Sequence, residues 1–196
     1  VWAAATRIRV AADASTWFDL LAGLDADQRR RVLEWHAADE GCLTLADRLW
    51  MREHEKPSED RDWIRIRNSL AEFAERARAL GCGVLWAAFI RARIIVEGEY
   101  LSDLARALVI GDEALRTCSG DLRANFLVME AVGRQLFYAG RIKDALPWMD
   151  RALSQGVDGL RLARFNLLLE TARASHAAEG GQAVSYATQA VELARG

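Results

Sequence analysis

The feature that most restricts the fold of this chain is a set of alanines that recurs every 38 residues. Ala107, Ala145 and Ala183 occupy one position of this repeat, and a second position seven residues further on keeps the same spacing: Ala114, Ala152 and Ala190. An aliphatic pair beside the alanines repeats in the same register: Leu108 with Leu115, Leu146 with Leu153, and Val184 with Val191. A fixed period of this size is typical of stacked helical repeats. Because such arrays usually present extended binding surfaces, the period favours a binding protein over an enzyme.

The composition is that of a soluble globular protein. Of 196 residues, 52% are apolar and 28% charged, and the net charge is −2. No overall electrostatic field therefore draws the chain to nucleic acid or to an anionic membrane. No apolar stretch approaches the ~18 residues of a transmembrane helix, and no signal peptide is recognisable. Three cysteines without a CxxC pair argue against a disulfide framework or a zinc site, and they predict a reducing, cytoplasmic location with small buried thiols at Cys82 and Cys118.

Apolar residues spaced three and four apart predict helix pairs in three clear units, at residues 82–117, 121–155 and 159–195. The predicted helices are Val84–Glu97 with Leu101–Thr117, Leu122–Ala139 with a helix that runs to Ser154, and Gly159–Ala178 with Gln182–Arg195. Gly140 is expected at the left-handed position that follows a helix. Asp144 is expected to cap the next helix, which would place Pro147 in its first turn.

The repeat array is predicted to cover residues 57–196, where Trp63–Leu80 is a strong amphipathic helix. The charged loop at residues 54–60 is the expected internal boundary. Residues 1–56 then form an N-terminal helical segment, a candidate for part of a preceding domain, with two short helices in 12–39 that break at Gly23-Leu24-Asp25. Both ends of the chain interrupt a pattern, so we expect a fragment of a longer protein.

The central unit carries the spacing of a known repeat signature at six positions: Gly133, Leu136, Gly140, Ala145, Met149 and Ala152. In this respect the chain resembles the tetratricopeptide (TPR) repeat family over about residues 82–195. The first unit departs from that pattern, with Ile95 in place of the small glycine and extra residues in its turn. The resemblance implies an all-α fold, an α-α superhelix of stacked antiparallel helix hairpins that forms a right-handed solenoid. It also implies a scaffold or sensor arm of a larger bacterial signalling or regulatory protein.

In arrays of this kind the first helices line the concave face. The resemblance therefore implies partner-binding candidates at Phe89, Ala92, Val96, Tyr100, Leu127, Glu130, Arg134, Phe137, Tyr138, Phe165, Leu168 and His176. This mainly apolar and aromatic set suits an amphipathic helix or an extended peptide. The alternative is that these residues pack against other helices of the same chain and leave no open groove.

No catalytic or metal-binding pattern is present in the sequence. Gly81-Cys82-Gly83 lacks the lysine and hydroxyl residue of a phosphate loop, and His36, Asp39 and Glu40 lack the converging partners of a metal site. We therefore expect no enzyme activity, no cofactor, and no nucleic-acid or membrane partner. The leading hypothesis is a protein-interaction scaffold that binds a protein, a peptide or neighbouring domains of the same full-length chain. The alternative is a small-molecule sensor domain of a signal-transduction ATPase or transcriptional regulator, with a pocket that contains Arg134 or His176.

Overall fold

The computed structural model describes residues 13–38, 41–118 and 120–195, apart from the side chains of residues 35–38. Within these residues every regular element is helical and there is no strand, so the predicted all-α class is confirmed. The α-helices are α1 Ala14–Ala22, α2 Ala26–Ala38, α3 Gly41–His54, α4 Trp63–Ala79, α5 Gly83–Ile95, α6 Leu104–Thr117, α7 Leu122–Tyr138, α8 Ile142–Leu153, α9 Arg161–Ala177 and α10 Ala183–Arg195. A 3-10 turn, Ser58–Asp60, precedes α4, and a π-helix, Val96–Tyr100, follows α5.

Aspartates begin several of the helices. The carboxylates of Asp13, Asp62 and Asp103 each accept a hydrogen bond from the backbone N–H three residues later, and Asp121 accepts from the backbone N–H groups two and three residues later. At α2, Asp25 and Gln28 exchange two hydrogen bonds in a capping box. Each carboxylate satisfies N–H groups that a helix leaves unpaired at its start, and its charge is favoured by the helix dipole. Because of these caps, a new helix can begin directly after a short connector.

The turn between α7 and α8 follows the sequence prediction at its first half. Gly140 lies in the left-handed region with φ of 75°, and the Arg141 N–H donates to the Leu136 carbonyl at 2.9 Å. This is a Schellman motif, and Gly81 ends α4 in the same way with φ of 69°. Gly81-Cys82-Gly83 therefore forms the turn between α4 and α5.

Several helix starts differ from the prediction, and the largest differences are at α8 and α6. Helix α8 begins at Ile142 because the Arg141 carbonyl already accepts the Ala145 N–H at 3.0 Å. Asp144 therefore lies in the first turn, bonded to Arg141, and Pro147 lies inside the helix, so its predicted place in the first turn was wrong. Helix α6 begins at Leu104 and not at Leu101, because Ser102 has φ of 56° and Asp103 provides the cap.

Most of the repeated small residues are buried. Ala107, Ala145 and Ala190 are fully buried, whereas Ala183 is partly exposed. At Gly133 a Cβ atom would come within 2.9 Å of the Met149 Cγ, so only glycine allows α7 to lie this close to α8. The repeated alanines of the units at residues 82–117 and 121–155 are therefore buried, and Gly133 allows close contact between α7 and α8.

One hydrophobic core runs through the described residues, from α1 to α9. Neighbouring helices pack against each other along the chain, and α5 also packs against α7. At the N-terminal end, the Phe18 ring stacks on Phe73 at 5.5 Å and so joins α1 to α4. The predicted domain boundary after residue 56 stays a prediction. None of the described helices is long and apolar enough to cross a bilayer.

Candidate functional site

The π-helix Val96–Tyr100 is the local feature that positions the candidate site. It accommodates the extra residues that the sequence shows in the turn of the first unit. At Gly98 a Cβ atom would collide with the side chain of Gln135, so glycine lets this turn lie against α7. Glu99 then reaches across, where its Oε1 accepts from the Arg134 Nε at 2.7 Å and from the Gln135 Nε2 at 3.0 Å. Single π-turns inside helices are frequently found at functional sites.

Arg91 connects three helices through a buried ion pair with Glu130 and a partly buried one with Asp47. Its Nε and Nη2 donate to the two carboxylate oxygens of Glu130 at 2.6 and 3.1 Å, and its Nη1 donates to the Asp47 Oδ1 at 2.9 Å. Arg91 is 7% exposed and Glu130 is 2% exposed. Burial alone would lower the pKa of Arg91, but the charges of Glu130 and Asp47 and the hydrogen bonds raise it above its usual value. The fork geometry therefore fixes α3, α5 and α7 relative to each other.

Glu170 extends this network onto α9. Its Oε1 accepts from the Tyr138 hydroxyl at 3.4 Å and lies 3.9 Å from the Arg134 Nη1. Its Oε2 is buried and has no hydrogen-bond partner among the described residues. Burial raises the pKa of Glu170, the charge of Glu130 raises it further, and Arg134 and Arg91 offset only part of this. Glu170 is thus an incompletely satisfied carboxylate at 8% exposure, which is costly unless a donor binds it.

An aromatic cluster adjoins the charged groups. The Tyr100 ring stacks on Trp63 at 4.0 Å, and Trp50 and His54 lie 5.9 and 5.6 Å from it. The Trp50 Nε1 donates to the Asp47 Oδ1 at 3.0 Å, which joins this cluster to the Arg91 ion pairs. We call the six ionisable side chains the ion-pair network; they are Asp47, Arg91, Glu99, Glu130, Arg134 and Glu170.

Four carboxylates face two guanidinium groups in the ion-pair network, so it carries a net negative charge when all six are ionised. Tyr138 is 53% exposed beside it, and the Arg134 guanidinium lies 5.3 Å from the centre of the Tyr138 ring. A negative site with exposed and half-buried aromatic rings suits a cationic group, because ring faces and carboxylates both attract positive charge. The part of the chain that the structure describes has no group of three or more side chains placed to hold a metal ion.

The twelve candidates from the sequence fall into three groups. The buried ones are Phe89, Ala92, Val96, Leu127, Glu130 and Leu168. Four are partly buried, namely Tyr100, Arg134, Phe137 and Phe165, and two are exposed, Tyr138 and His176. The structure brings Glu130, Arg134, Tyr138 and the Tyr100 turn together at the ion-pair network. Binding of a partner by any of the twelve stays a prediction.

Sequence reasoning missed four members of the ion-pair network: Asp47, Arg91, Glu99 and Glu170. A signal for two of them was present. Arg91, Glu130 and Glu170 each follow directly on a run of apolar residues, and they follow one another after 39 and 40 residues, close to the period of the repeat. The earlier cluster of His36, Asp39 and Glu40 lies outside the residues whose side chains are described.

The fold and the site define an all-α protein of packed neighbouring helices with a charged network that crosses four of them. Comparison of the chain with protein-family models, with curated proteins and with solved structures finds no match. The resemblance to TPR repeats therefore rests on the spacing of residues in the sequence and stays a prediction.

Proposed function

We propose that this protein is a non-catalytic interaction scaffold or sensor arm that binds a protein or peptide partner at the ion-pair network. In this proposal the packed hairpins form a right-handed, TPR-like superhelix, and the first helices of its units face the partner. The observation that carries the proposal is the buried Oε2 of Glu170, which no group of the described chain satisfies.

The chemistry of the site points to an arginine or lysine side chain of the partner. A cationic donor at the Glu170 Oε2 would complete its hydrogen bonds and remove the cost of burying an unpaired carboxylate oxygen. The exposed Tyr138 ring would contact the aliphatic part of that side chain or its charge. The residues that contribute most to binding at protein interfaces are often aromatic side chains and arginines that become buried in the complex.

A peptide-library titration tests this proposal. Four pools of fluorescent peptides, each with aromatic residues and one fixed Arg, Lys, Gln or Glu, are titrated with the protein by fluorescence polarisation. The Arg or Lys pool should bind most tightly. Glu170→Gln should weaken that binding at least about tenfold, since a charged hydrogen bond contributes about 1.5–3 kcal/mol.

Glu113→Gln is the matched control, because Glu113 is an exposed carboxylate on α6 and its loss should leave affinity unchanged. Equal binding of the Arg and Glu pools, or unchanged affinity in Glu170→Gln, would reject the proposed site. If a polyamine binds Glu170 and the Arg and Lys pools do not, the alternative small-molecule sensor is the better description.

A further inference from the structure

Two cysteines from distant parts of the sequence meet at the start of two helices. Cys42 is the second residue of α3 and is 1% exposed, while Cys82 is the N-cap of α5 and is partly exposed. Their side chains lie close enough to interact, on two helices that pack against each other, although 40 residues separate them along the chain. A buried thiol that contacts a partly exposed one is the arrangement of a resolving cysteine beside a reactive cysteine.

The surroundings of Cys82 favour its thiolate. The hydrogen bond from the Cys42 thiol lowers the pKa of Cys82 to about 7, and the backbone amide of Leu85 in the first turn of α5 adds to this against the effect of burial. Other charges near Cys82 are those of Asp121, which raises its pKa, and Arg123, which lowers it. The pKa of Cys42 is raised by the same contact and by burial, so Cys82 is the thiol that ionises first.

Cys82 is also the thiol that solvent can reach. It lines a surface cavity of about 290 Å³ together with Arg78, Trp86 and Asp121. Cys118 lines the same cavity, but its thiol donates to the Asn125 Oδ1 at 3.1 Å, and burial raises its pKa to about 11. The two cysteines of this cavity therefore differ in exposure and in pKa, which makes Cys118 an internal control.

We propose that Cys42 and Cys82 are a redox modification site, at which a hydroperoxide converts the two thiols into a reversible disulfide. The inference does not depend on the proposed binding function. The bond would link the start of α3 directly to the start of α5. Asp47 of α3 and Arg91 of α5 already form an ion pair further along these two helices. The disulfide would therefore hold α3 and α5 together at a second point.

The reaction balances with hydrogen peroxide as the oxidant. The Cys82 thiolate attacks one peroxide oxygen, so that an S–O bond forms, the O–O bond breaks, and the released hydroxide takes up a proton to leave as water. Cys82 is then a sulfenic acid. The Cys42 sulfur attacks the Cys82 sulfur, the S–S bond forms and the S–O bond breaks, and the hydroxide that leaves takes the Cys42 proton. Two thiols are oxidised and one peroxide is reduced to two waters. A small dithiol reverses the step by exchange.

Peroxide titration with mass spectrometry tests the proposal on the full chain. Reduced protein is treated with one equivalent of hydrogen peroxide, blocked with N-ethylmaleimide and digested without reductant. We expect a mass lower by two hydrogen atoms, a single cross-linked peptide pair that joins Cys42 to Cys82, and complete reversal by dithiothreitol. Cys118 should remain free, and the Cys118→Ser variant should form the same link. Cys82 should be oxidised at least about tenfold faster than Cys118, because its thiolate is the more populated.

Two variants identify the order of the steps. In Cys42→Ser the sulfenic acid at Cys82 should persist and be trapped by dimedone. In Cys82→Ser no remaining thiol should be oxidised faster than Cys118 is oxidised in the wild type. Because the wild-type peptide map needs no variant, the proposal stays testable even if Cys42→Ser folds poorly. A link that contains Cys118, or irreversible oxidation of Cys82 without a link in the wild type, would overturn it.

Discussion

At the scale of single residues, the charged side chains inside apolar helices set the relation between the units. Arg91 is buried between the carboxylates of Glu130 and Asp47, and both of its partners lie on other helices. Removing one member of such a pair leaves the others buried and uncompensated, which is far more costly than the loss of an exposed pair. The ion pair therefore ties α3 and α7 to α5 and makes their packing mutually dependent.

Arg91→Met should lower the free energy of unfolding by about 3–5 kcal/mol, because it strands the buried Glu130 carboxylate in an apolar setting. Urea denaturation followed by circular dichroism measures the change. The control is Arg116→Met, which removes an exposed pair with Asp112 on one helix and should change stability by less than about 0.5 kcal/mol. Similar losses in the two variants would contradict a structural role for the buried pair.

Glu170→Gln tests whether the unsatisfied carboxylate destabilises the folded state. The pKa of Glu170 is raised on folding, so its ionisation is harder in the folded chain than in the unfolded chain. The wild type should therefore lose stability as pH rises through the folded pKa, while the variant does not. We expect the variant to be the more stable at pH 7 and the difference to shrink towards about pH 4, where the unfolded glutamate is also protonated.

Urea unfolding of both proteins between about pH 4 and 8 measures this difference, and Glu113→Gln provides the exposed control. A difference that stays constant over this range, or one that favours the wild type at neutral pH, would show that Arg134 and Tyr138 already satisfy Glu170. Stability gained by removing a charged group at a binding site is the expected trade-off between stability and function.

At the scale of elements, the apolar spacing predicts the helices well and their registers less well. Helix α7 was expected at Leu122–Ala139 and is found at Leu122–Tyr138, because its apolar residues and Gly140 mark both ends. The π-helix after α5 was not predicted, because one extra residue in a turn changes the hydrogen-bond register without removing the apolar residues on either side. The position of Glu99 in the ion-pair network depends on that register. The other ion pairs depend on how each helix is rotated about its axis, which the spacing of residues in the sequence does not determine. The spacing therefore did not identify the members of the network.

Gly133→Ala tests which has the larger effect on stability at this position, helix propensity or the close packing of α7 against α8. Propensity alone would favour alanine by about 1 kcal/mol, but the added Cβ would meet the Met149 Cγ at 2.9 Å and its backbone nitrogen at 3.3 Å. Since neither atom belongs to a flexible side-chain end, we expect overpacking to prevail and unfolding free energy to fall by about 1–3 kcal/mol. Thermal unfolding checks this against Gly120→Ala, where the added Cβ meets nothing within 4 Å. A neutral Gly133→Ala would mean that α7 and α8 can move apart freely.

At the scale of the whole molecule, burial is distributed unevenly along the chain. Helices α5 and α7 are buried on most sides, whereas Ala190 is the buried residue of α10. The aliphatic pair of the repeat shows the same gradient. Leu108, Leu115, Leu146 and Leu153 pack partly into the core, but their equivalents Val184 and Val191 are 76% and 48% exposed. Because α10 packs mainly against α9 and buries little apolar surface, we expect it to be the least stable of the described helices.

Hydrogen exchange measured by mass spectrometry would show this gradient directly. Amides of α5 and α7 should exchange most slowly and those of α10 fastest, because local opening costs least where few apolar contacts break.

Hydrogen exchange in the Arg91→Met variant shows whether the loss of this ion pair destabilises only the helices it joins or the whole chain. Its loss of the pairs to Asp47 and Glu130 should speed exchange in α3, α5 and α7, while α10, which packs against α9, should be unchanged. If exchange in α10 accelerates by the same factor as in α5, the chain unfolds as one unit and the nearest-neighbour description of its stability fails.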